Sequence, residues 1–150
     1  MSQSLVCCYL HLIFSTKERR QLLVSGIQDR LWPYMGGIAR ENGMQALEVG
    51  GREDHGHLLL SMPAALTIAK GVQLIKGGSS KWLNDTFFSQ RDFHWQNGYA
   101  VFSVSPPSID SVREYIQQQE AHHHTHTFKE EVLAFLQRYQ IPYDERYLWD

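Results

Sequence analysis

The chain has 150 residues, a length that fits one domain with a sizeable core. One residue in five is charged and 43% are hydrophobic, which is ordinary for a globular protein and argues against a disordered or membrane-spanning chain. The net charge of −2 argues against a strongly basic nucleic-acid binder. Residues 1–109 nevertheless carry +2 and residues 110–150 carry −4, so the body of the chain can still present local basic patches.

The N-terminal segment, with its two cysteines and short apolar run, bears on the cellular compartment. Cys7 and Cys8 are adjacent, would face opposite sides of a strand and are interpreted as reduced core residues. The apolar run around them spans only about ten residues and follows no basic region, so it predicts neither a signal peptide nor a membrane span. We therefore expect a cytoplasmic protein with a single domain over residues 1–150.

The first half of the chain predicts strands around a helix. Residues 5–14 are rich in β-formers on both faces and predict a central strand, in which His11 is interpreted as a core or sheet-face histidine rather than a ligand. Apolar residues at intervals of three and four predict a helix over residues 22–42, with a kink or break at Pro33. Residues 45–49 predict a second strand that leads as a hairpin into a third.

The second half of the chain adds three helices and a strand. Thr67 is predicted to cap a helix from 68 to about 87, and residues 93–104 predict a β segment. A third helix is predicted from a cap at Ser108 or Asp110 to about residue 121, and a final helix over residues 128–139. The order β-α-β-β-α-β-α-α predicts an α+β fold, with a mainly antiparallel sheet and helices covering one face.

A pair of histidines at the start of the third strand is the first chemical signal. His55 and His57 lie two residues apart, so on a strand their side chains share a face about 6.5–7 Å apart. Paired imidazoles at this spacing can bind one metal ion. Two polar residues on a half-exposed face would show the same pattern, so this signal needs support from elsewhere in the chain.

The third predicted helix supplies that support. Tyr115 and Gln119 are four residues apart and therefore share a face, one turn from each other. A tyrosine oxygen beside a glutamine carbonyl is unusual in a core. The pair suits a metal held by two histidines, with Gln119 as a third ligand and Tyr115 as a nucleophile.

Two basic segments are candidates for contacts with the phosphates of a nucleic acid, although a solvated loop and a solvated helix face explain them equally well. The first is the turn after the first strand and the second lies in the second helix, where the order GxxxxGK[ST] of a phosphate loop is absent. The candidate residues are Lys17, Arg19, Arg20, Lys76, Ser79, Ser80 and Lys81.

A histidine tract follows the third helix. Its members are His122, His123, His124 and His126. A second metal site is one interpretation, and a weakly basic, solvated loop near the end of a helix is the other. His122 and His123 fall on the same side as Gln119, which makes them candidates for steadying a phosphate or a ligand.

In its motifs the sequence resembles the single-tyrosine HUH (histidine–hydrophobic–histidine) transposases of the insertion-sequence 200/605 kind, including their relatives associated with repetitive extragenic palindromes (REPs). The matching stretches run in order along nearly the whole chain: FSTK (14–17), DHGHLL (54–59), KGGSS (76–80), WQNGY (95–99), FSVS (102–105), VREYI (112–116) followed by Gln119, HH (122–123), FKEE (128–131) and YDERYLW (143–149). One position departs from the family. Gly56 stands where a bulky apolar residue is expected, which should weaken the strand and leave a hole behind the site.

The resemblance implies a ferredoxin-like or RRM-like HUH fold and a homodimeric enzyme that cleaves and rejoins single-stranded DNA beside imperfect hairpins. Tyr115 would attack the scissile phosphate and remain attached to the 5′ phosphate, acting in cis or in trans. A divalent ion, Mg²⁺ or Mn²⁺, would be held by His55, His57 and Gln119. Because a tyrosine hydroxyl has a pKa near 10, its attack at neutral pH needs such help.

Two other functions remain open from the sequence. Gly56 suggests a degenerate or domesticated copy that binds a DNA hairpin without strand transfer. A small metal-binding or hydrolytic domain with no nucleic-acid role is the third possibility. It would bind Zn²⁺ tightly and have no affinity for single-stranded DNA.

Overall fold

Strands and helices follow one another along the chain in the predicted order. The computed structural model describes residues 2–119 and 126–149. The strands are β1 (Tyr9–Ser15), β2 (Gln45–Arg52), β3 (His55–Ser61) and β4 (Ala100–Val104). The helices are α1 (Ser25–Glu41), α2 (Ile68–Thr86), α3 (Ile109–Gln117), α4 (Phe128–Arg138) and the short α5 (Glu145–Leu148). Within the described ranges no helix combines the length and the apolar character needed to cross a bilayer.

The four strands form one antiparallel sheet in the order β2-β3-β1-β4. This arrangement confirms the predicted α+β class and places β1 at the centre, as its apolar composition indicated. The strand begins at Tyr9 rather than at residue 5. Cys7 lies before it and is exposed, so the prediction that both cysteines are core residues is wrong for Cys7, while Cys8 is half-buried.

One face of the sheet, which we call the scaffold face, is apolar. It packs against α1 and α2 through side chains contributed alternately by the two middle strands. Those of β1 and β3 are Leu10, Leu12, Phe14, Leu58 and Leu60. Because all of them are buried, this face holds the main hydrophobic core.

The opposite face, which we call the site face, carries the alternate residues of the same strands. Ile13 and Phe102 pack against α4, and Leu59 packs against Ile116 of α3. Helices therefore lie on both faces of the sheet, whereas the sequence placed them on one. The reason is that β1 and β3 are buried on both sides, so the site face needs its own helical cover.

A glycine sets the distance between α3 and the sheet. A Cβ atom added at Gly50 of β2 would lie 3.0 Å from Cγ2 and 3.2 Å from the carbonyl oxygen of Ile116. The absent side chain thus lets the helix backbone approach the strand closely. Because Tyr115 precedes Ile116, this contact also fixes the position of the tyrosine relative to the sheet.

Helix α1 begins at Ser25 rather than at residue 22 and continues to Glu41, so the helix is not broken at Pro33. It also carries Trp32 to the back of β3, where a Cβ atom at Gly56 would lie only 3.3 Å from Cζ3 of the indole. The hole expected behind Gly56 is therefore filled by the tryptophan.

Candidate active site

Three buried histidines lie together on the site face. His55 and His57 come from β3, and His11 comes from the neighbouring strand β1. The ring centroids of His55 and His57 are 5.1 Å apart, and those of His11 and His57 are 5.0 Å apart. Antiparallel pairing sets this arrangement, because it places His11 opposite Leu59, two residues from His57 on the same face.

His55 is held between two side chains. Its Nδ1 lies 2.6 Å from Oδ1 of Asp54, and its Nε2 lies 3.0 Å from Oε1 of Gln119. A carboxylate at one ring nitrogen orients the other nitrogen, as is usual for histidines that bind metals. The structure thus brings Gln119, which lies just beyond α3, to the histidine that the sequence assigned as its fellow ligand.

Helix α4 contributes a carboxylate that the sequence analysis missed. Oε1 of Glu131 lies 2.8 Å from Nε2 of His57 and 3.9 Å from Nε2 of His55. Glu131 is only 7% exposed. It falls on the apolar stripe of the helix between Phe128 and Val132, and a charged residue in such a stripe is the signal that could have identified it.

The donor atoms fit a divalent ion. An ion with six ligands at 2.0–2.1 Å places adjacent ligand atoms about 3.0 Å apart. The separations of 3.0 Å for His55–Gln119 and 2.8 Å for His57–Glu131 are close to this value, and that of 3.9 Å for His55–Glu131 is longer. Two imidazole nitrogens, an amide oxygen and a carboxylate oxygen also form a set that Mn²⁺, Mg²⁺ or Zn²⁺ accepts.

Tyr115 lies beside these groups in the same chain. Its ring centroid is 5.8 Å from that of His57, and its side chain is hydrogen-bonded to Glu131 and Gln119. Burial raises the pKa of the Tyr115 hydroxyl well above its ordinary value of 10, and the negative charge of Glu131 raises it further. The hydroxyl therefore stays protonated at neutral pH unless positive charge is brought close to it.

A cleft leads from solvent to Tyr115. It has a volume of about 430 Å³ and is lined by Tyr115, Phe135, Glu131 and Arg138, among others. The tyrosine is half-buried rather than enclosed, and it forms part of the cleft wall. The cleft thus brings together a phenol, a cluster of groups that could hold a metal ion and one exposed arginine.

A family model for IS200-like transposases matches residues 4–119, well over half of the chain. The chain belongs to this family. The relatives include the ISDra2 transposase TnpA of Deinococcus radiodurans, which is 29% identical over 114 residues, covering 73% of this chain and 81% of the relative. The transposase of the IS200 element of Salmonella typhimurium is 26% identical over 118 residues, covering 75% and 76%.

Solved structures agree with the family. A Deinococcus radiodurans R1 protein described as a transposase superposes with a TM-score of 0.64 at 28% identity, covering 79% of this chain and 96% of the other. The REP-associated tyrosine transposase bound to a REP hairpin superposes with a TM-score of 0.60, covering 82% and 74%, but at 13% identity it supports the fold alone. The resemblance noted in the sequence is confirmed. Glu131 lies beyond residue 119, where the family match ends.

The basic turn of this IS200-like transposase lies next to the site. The backbone N–H of Thr16 donates to the carbonyl oxygen of Asp54 at 2.8 Å, which ties the turn to the residue before His55. The exposed Lys17 and Arg20 line a cleft of about 250 Å³ together with His94.

Arg19, the third basic residue of the turn, is partly covered by the C-terminal segment. Its guanidinium lies 5.9 Å from the ring centroid of Trp149, and its Nη1 donates to the Trp149 carbonyl oxygen at 3.5 Å. Trp149 therefore packs against Arg19 and partly covers it.

The predicted DNA contacts on α2 separate into two groups. Nζ of Lys76 donates to the carbonyl oxygens of three successive residues, Gln96, Asn97 and Gly98, at 2.6, 3.2 and 2.9 Å. Ser79 is fully buried and accepts a hydrogen bond from the indole of Trp95. These contacts lie inside the transposase, so Lys76 and Ser79 are removed from the set of residues proposed to contact DNA.

The other two residues of that set are at the surface. The hydroxyl of Ser80 donates to the carbonyl oxygen of Gly77, and Lys81 pairs with Asp85 at 2.8 Å. His122 and His123 lie outside the described residues. His126 is exposed, with Nδ1 4.0 Å from a carboxylate oxygen of Glu130.

Proposed function

We propose that this IS200-like transposase cleaves and rejoins single-stranded DNA beside hairpins through a tyrosine–DNA intermediate. One observation carries the proposal: Tyr115, two histidines and Gln119, which come from a strand and from the end of a helix, converge in one chain. A divalent ion bound by His55, His57 and Gln119 is part of the proposal, with Glu131 as a further ligand. The ion would draw charge from the scissile phosphate and favour the ionised phenol.

The chain's own residues then account for the remaining steps. The phenol oxygen of Tyr115 attacks phosphorus, the bond to the 3′ oxygen breaks, and that oxygen leaves as a hydroxyl after taking a proton. The phenol is hydrogen-bonded to Glu131, whose carboxylate would take the phenol proton and return a proton to the leaving 3′ oxygen. One phosphodiester replaces another, so a different 3′ hydroxyl can reverse the step without an external source of energy.

We further propose that Tyr115 acts in cis. The sequence left cis and trans action open, and the distance of 5.8 Å between the ring centroids of Tyr115 and His57 within one chain supports cis action. The homodimer implied by the resemblance stays a prediction, which light scattering of the purified protein can test.

The surface around the site supports DNA as the substrate. Arg138 is exposed and lines the cleft to Tyr115, and Lys17 and Arg20 are exposed on the turn that is tied to the residue before His55. Exposed cations near the groups that meet at Tyr115 suit a phosphate backbone. Arg19, Ser80 and Lys81 remain further proposed contacts. A hairpin is proposed because the motifs of the chain resemble those of transposases that act beside imperfect hairpins; the REP-associated transposase, which shares the fold, was itself solved bound to a REP hairpin.

The decisive experiment looks for the covalent intermediate. The protein is incubated with single strands of the DNA that flanks its gene, with Mg²⁺ or Mn²⁺, and the products are separated on a denaturing gel. We expect a band of protein-linked DNA that disappears with EDTA and in Tyr115→Phe, while hairpin binding by that variant persists. An adduct that forms in Tyr115→Phe would show that another residue is the nucleophile.

Mixing two inactive variants tests cis action. Tyr115→Phe keeps the histidines and His57→Asn keeps the tyrosine. If the nucleophile serves its own chain, a mixture of the two stays as inactive as either alone. Restored cleavage in the mixture would show that the tyrosine of one molecule serves the histidines of another.

A hairpin-binding protein without strand transfer is the second candidate. Gly56 was its motive, and Trp32 now fills the space behind that glycine, so this departure leaves no defect at the site. Hairpin binding with no adduct from either strand would favour this candidate. The third possibility, a domain with no nucleic-acid role, does not fit membership of a transposase family.

A further inference from the structure

His11 is buried in the middle of β1 and takes no part in the mechanism above. Its Nε2 lies 2.8 Å from Nδ1 of His57, and both rings are shielded from water. We infer that His11 is the positioning residue that presents His57 to the metal ion, an inference that rests on the metal site of the proposed function.

The argument depends on which nitrogen carries hydrogen. Nε2 of His57 lies 2.8 Å from Glu131, the proposed further ligand, and is therefore the atom that would bind the ion. A neutral imidazole that offers a lone pair at Nε2 must carry its hydrogen on Nδ1. That N–H points at Nε2 of His11, which accepts it only if the hydrogen of His11 sits on its own Nδ1. The two rings thus determine each other's tautomers.

The orientation of His11 is fixed from the side of α4. The ring of Phe135 meets that of His11 edge to face, with centroids 5.4 Å apart and planes at 85°. His11 therefore cannot turn away without displacing Phe135 from the core of the site face. Helix α4 thus acts on both sides of His57, through Glu131 at Nε2 and through Phe135 behind His11.

The two metal histidines consequently have partners of different charge. His55 is oriented by the carboxylate of Asp54 at 2.6 Å, whereas His57 is oriented by an imidazole. Glu131 already places one negative charge beside His57. A neutral partner for His57 orients the ring without adding a second negative charge next to the position of the scissile phosphate.

Two variants at one position test the inference. His11→Leu removes the acceptor, while His11→Gln places an amide oxygen near the position of Nε2 and can still accept the N–H of His57. Mn²⁺ affinity of the DNA-free protein is measured by electron paramagnetic resonance. We expect His11→Leu to bind Mn²⁺ about 10–100-fold more weakly than wild type, and His11→Gln to recover most of the affinity.

The outcomes separate this inference from the proposed function. Wild-type affinity in His11→Leu overturns the inference alone, as does an equal loss in both variants, which would indicate general damage to the core. A wild-type protein that binds no ion overturns the metal site and the inference together.

A measurement on the wild-type protein covers the case in which His11→Leu does not fold. Nitrogen-15 NMR of the histidine rings, recorded with diamagnetic Zn²⁺ bound, reports the tautomers directly. We expect hydrogen on Nδ1 of His57 and a bare Nε2 on His11. The reverse pattern would contradict the inference.

Discussion

The two faces of the sheet are built from alternate residues of the same strands, yet they are stabilised in different ways. The scaffold face buries leucines and Phe14 against α1 and α2. The site face buries His11, His55 and His57, which are held by hydrogen bonds and by a carboxylate. Over residues 55–58 of β3, the two histidines of the site face alternate with Gly56 and Leu58 of the scaffold face.

This contrast shows how the protein tolerates polar groups in its interior. Buried imidazoles are costly unless they are paired, and burial lowers the pKa of His11 to about 3, so the ring stays neutral. The apolar face supplies the stability that lets the other face be organised for chemistry. Substitutions on the two faces should therefore affect different properties of the protein.

The largest effect is expected from His57→Asn on the site face. Loss of one metal donor should reduce the single-turnover rate of DNA cleavage by roughly 10³-fold, because stabilisation by a bound ion is worth several kcal/mol. Circular dichroism of the variant should still show the native fold. Cleavage at the wild-type rate would remove His57 from the site.

The next residue along β3 should give the opposite result. Leu58→Ala opens a cavity in the scaffold face and should lower the free energy of unfolding by about 2–5 kcal/mol, measured by urea denaturation. The cleavage rate per folded molecule should stay close to that of wild type. A large loss of rate in the fully folded variant would mean that the two faces are not independent.

A smaller effect is expected at Gly56, the position that departs from the family motif and that packs against Trp32. Gly56→Val places a side chain against Trp32 and should cost about 1–3 kcal/mol of stability through overpacking. Trp32→Leu in the same chain should recover part of that loss, which a double-mutant cycle of melting curves would measure. Strictly additive effects would contradict the contact.

The smallest effect is a pH dependence that originates away from the site. Burial lowers the pKa of Lys76 from 10.5 to about 8. Between these two values the unfolded chain still holds a proton that the folded protein has lost, so the free energy of unfolding rises with pH in this window. Lys76→Met should remove that contribution. As the pH is raised from 8 to 10.5, the free energy of unfolding of wild type, measured by urea denaturation, should therefore increase relative to that of Lys76→Met.

Local sequence patterns predicted most of the fold. Periodicity located the main helices and strands, and Thr67 caps α2 through its side chain as expected. The position of the helices on both faces was not predicted, because a strand face that carries histidines resembles a solvent-exposed one. The contacts of Lys76 were not predicted either, since its acceptors lie about 20 residues further along the chain in a loop that only the folded structure brings to it.

The site was predictable where its residues lie close in sequence. The spacing of His55 and His57, and that of Tyr115 and Gln119, follows from strand and helix periodicity together with the family resemblance. Glu131 could not be placed in the same way. It approaches the histidines only because α4 folds back across the sheet, and its stretch entered the resemblance without a role for the carboxylate.

Helix α4 also covers apolar side chains of the sheet that would otherwise be exposed. A chain that stopped at residue 119 would keep the histidines, the tyrosine and the glutamine, but Ile13 and Phe102 would lose their cover and face water. Such a chain would need an apolar surface of another molecule to cover these side chains. Here α4 covers them within one chain, and the site face is shielded without a second molecule.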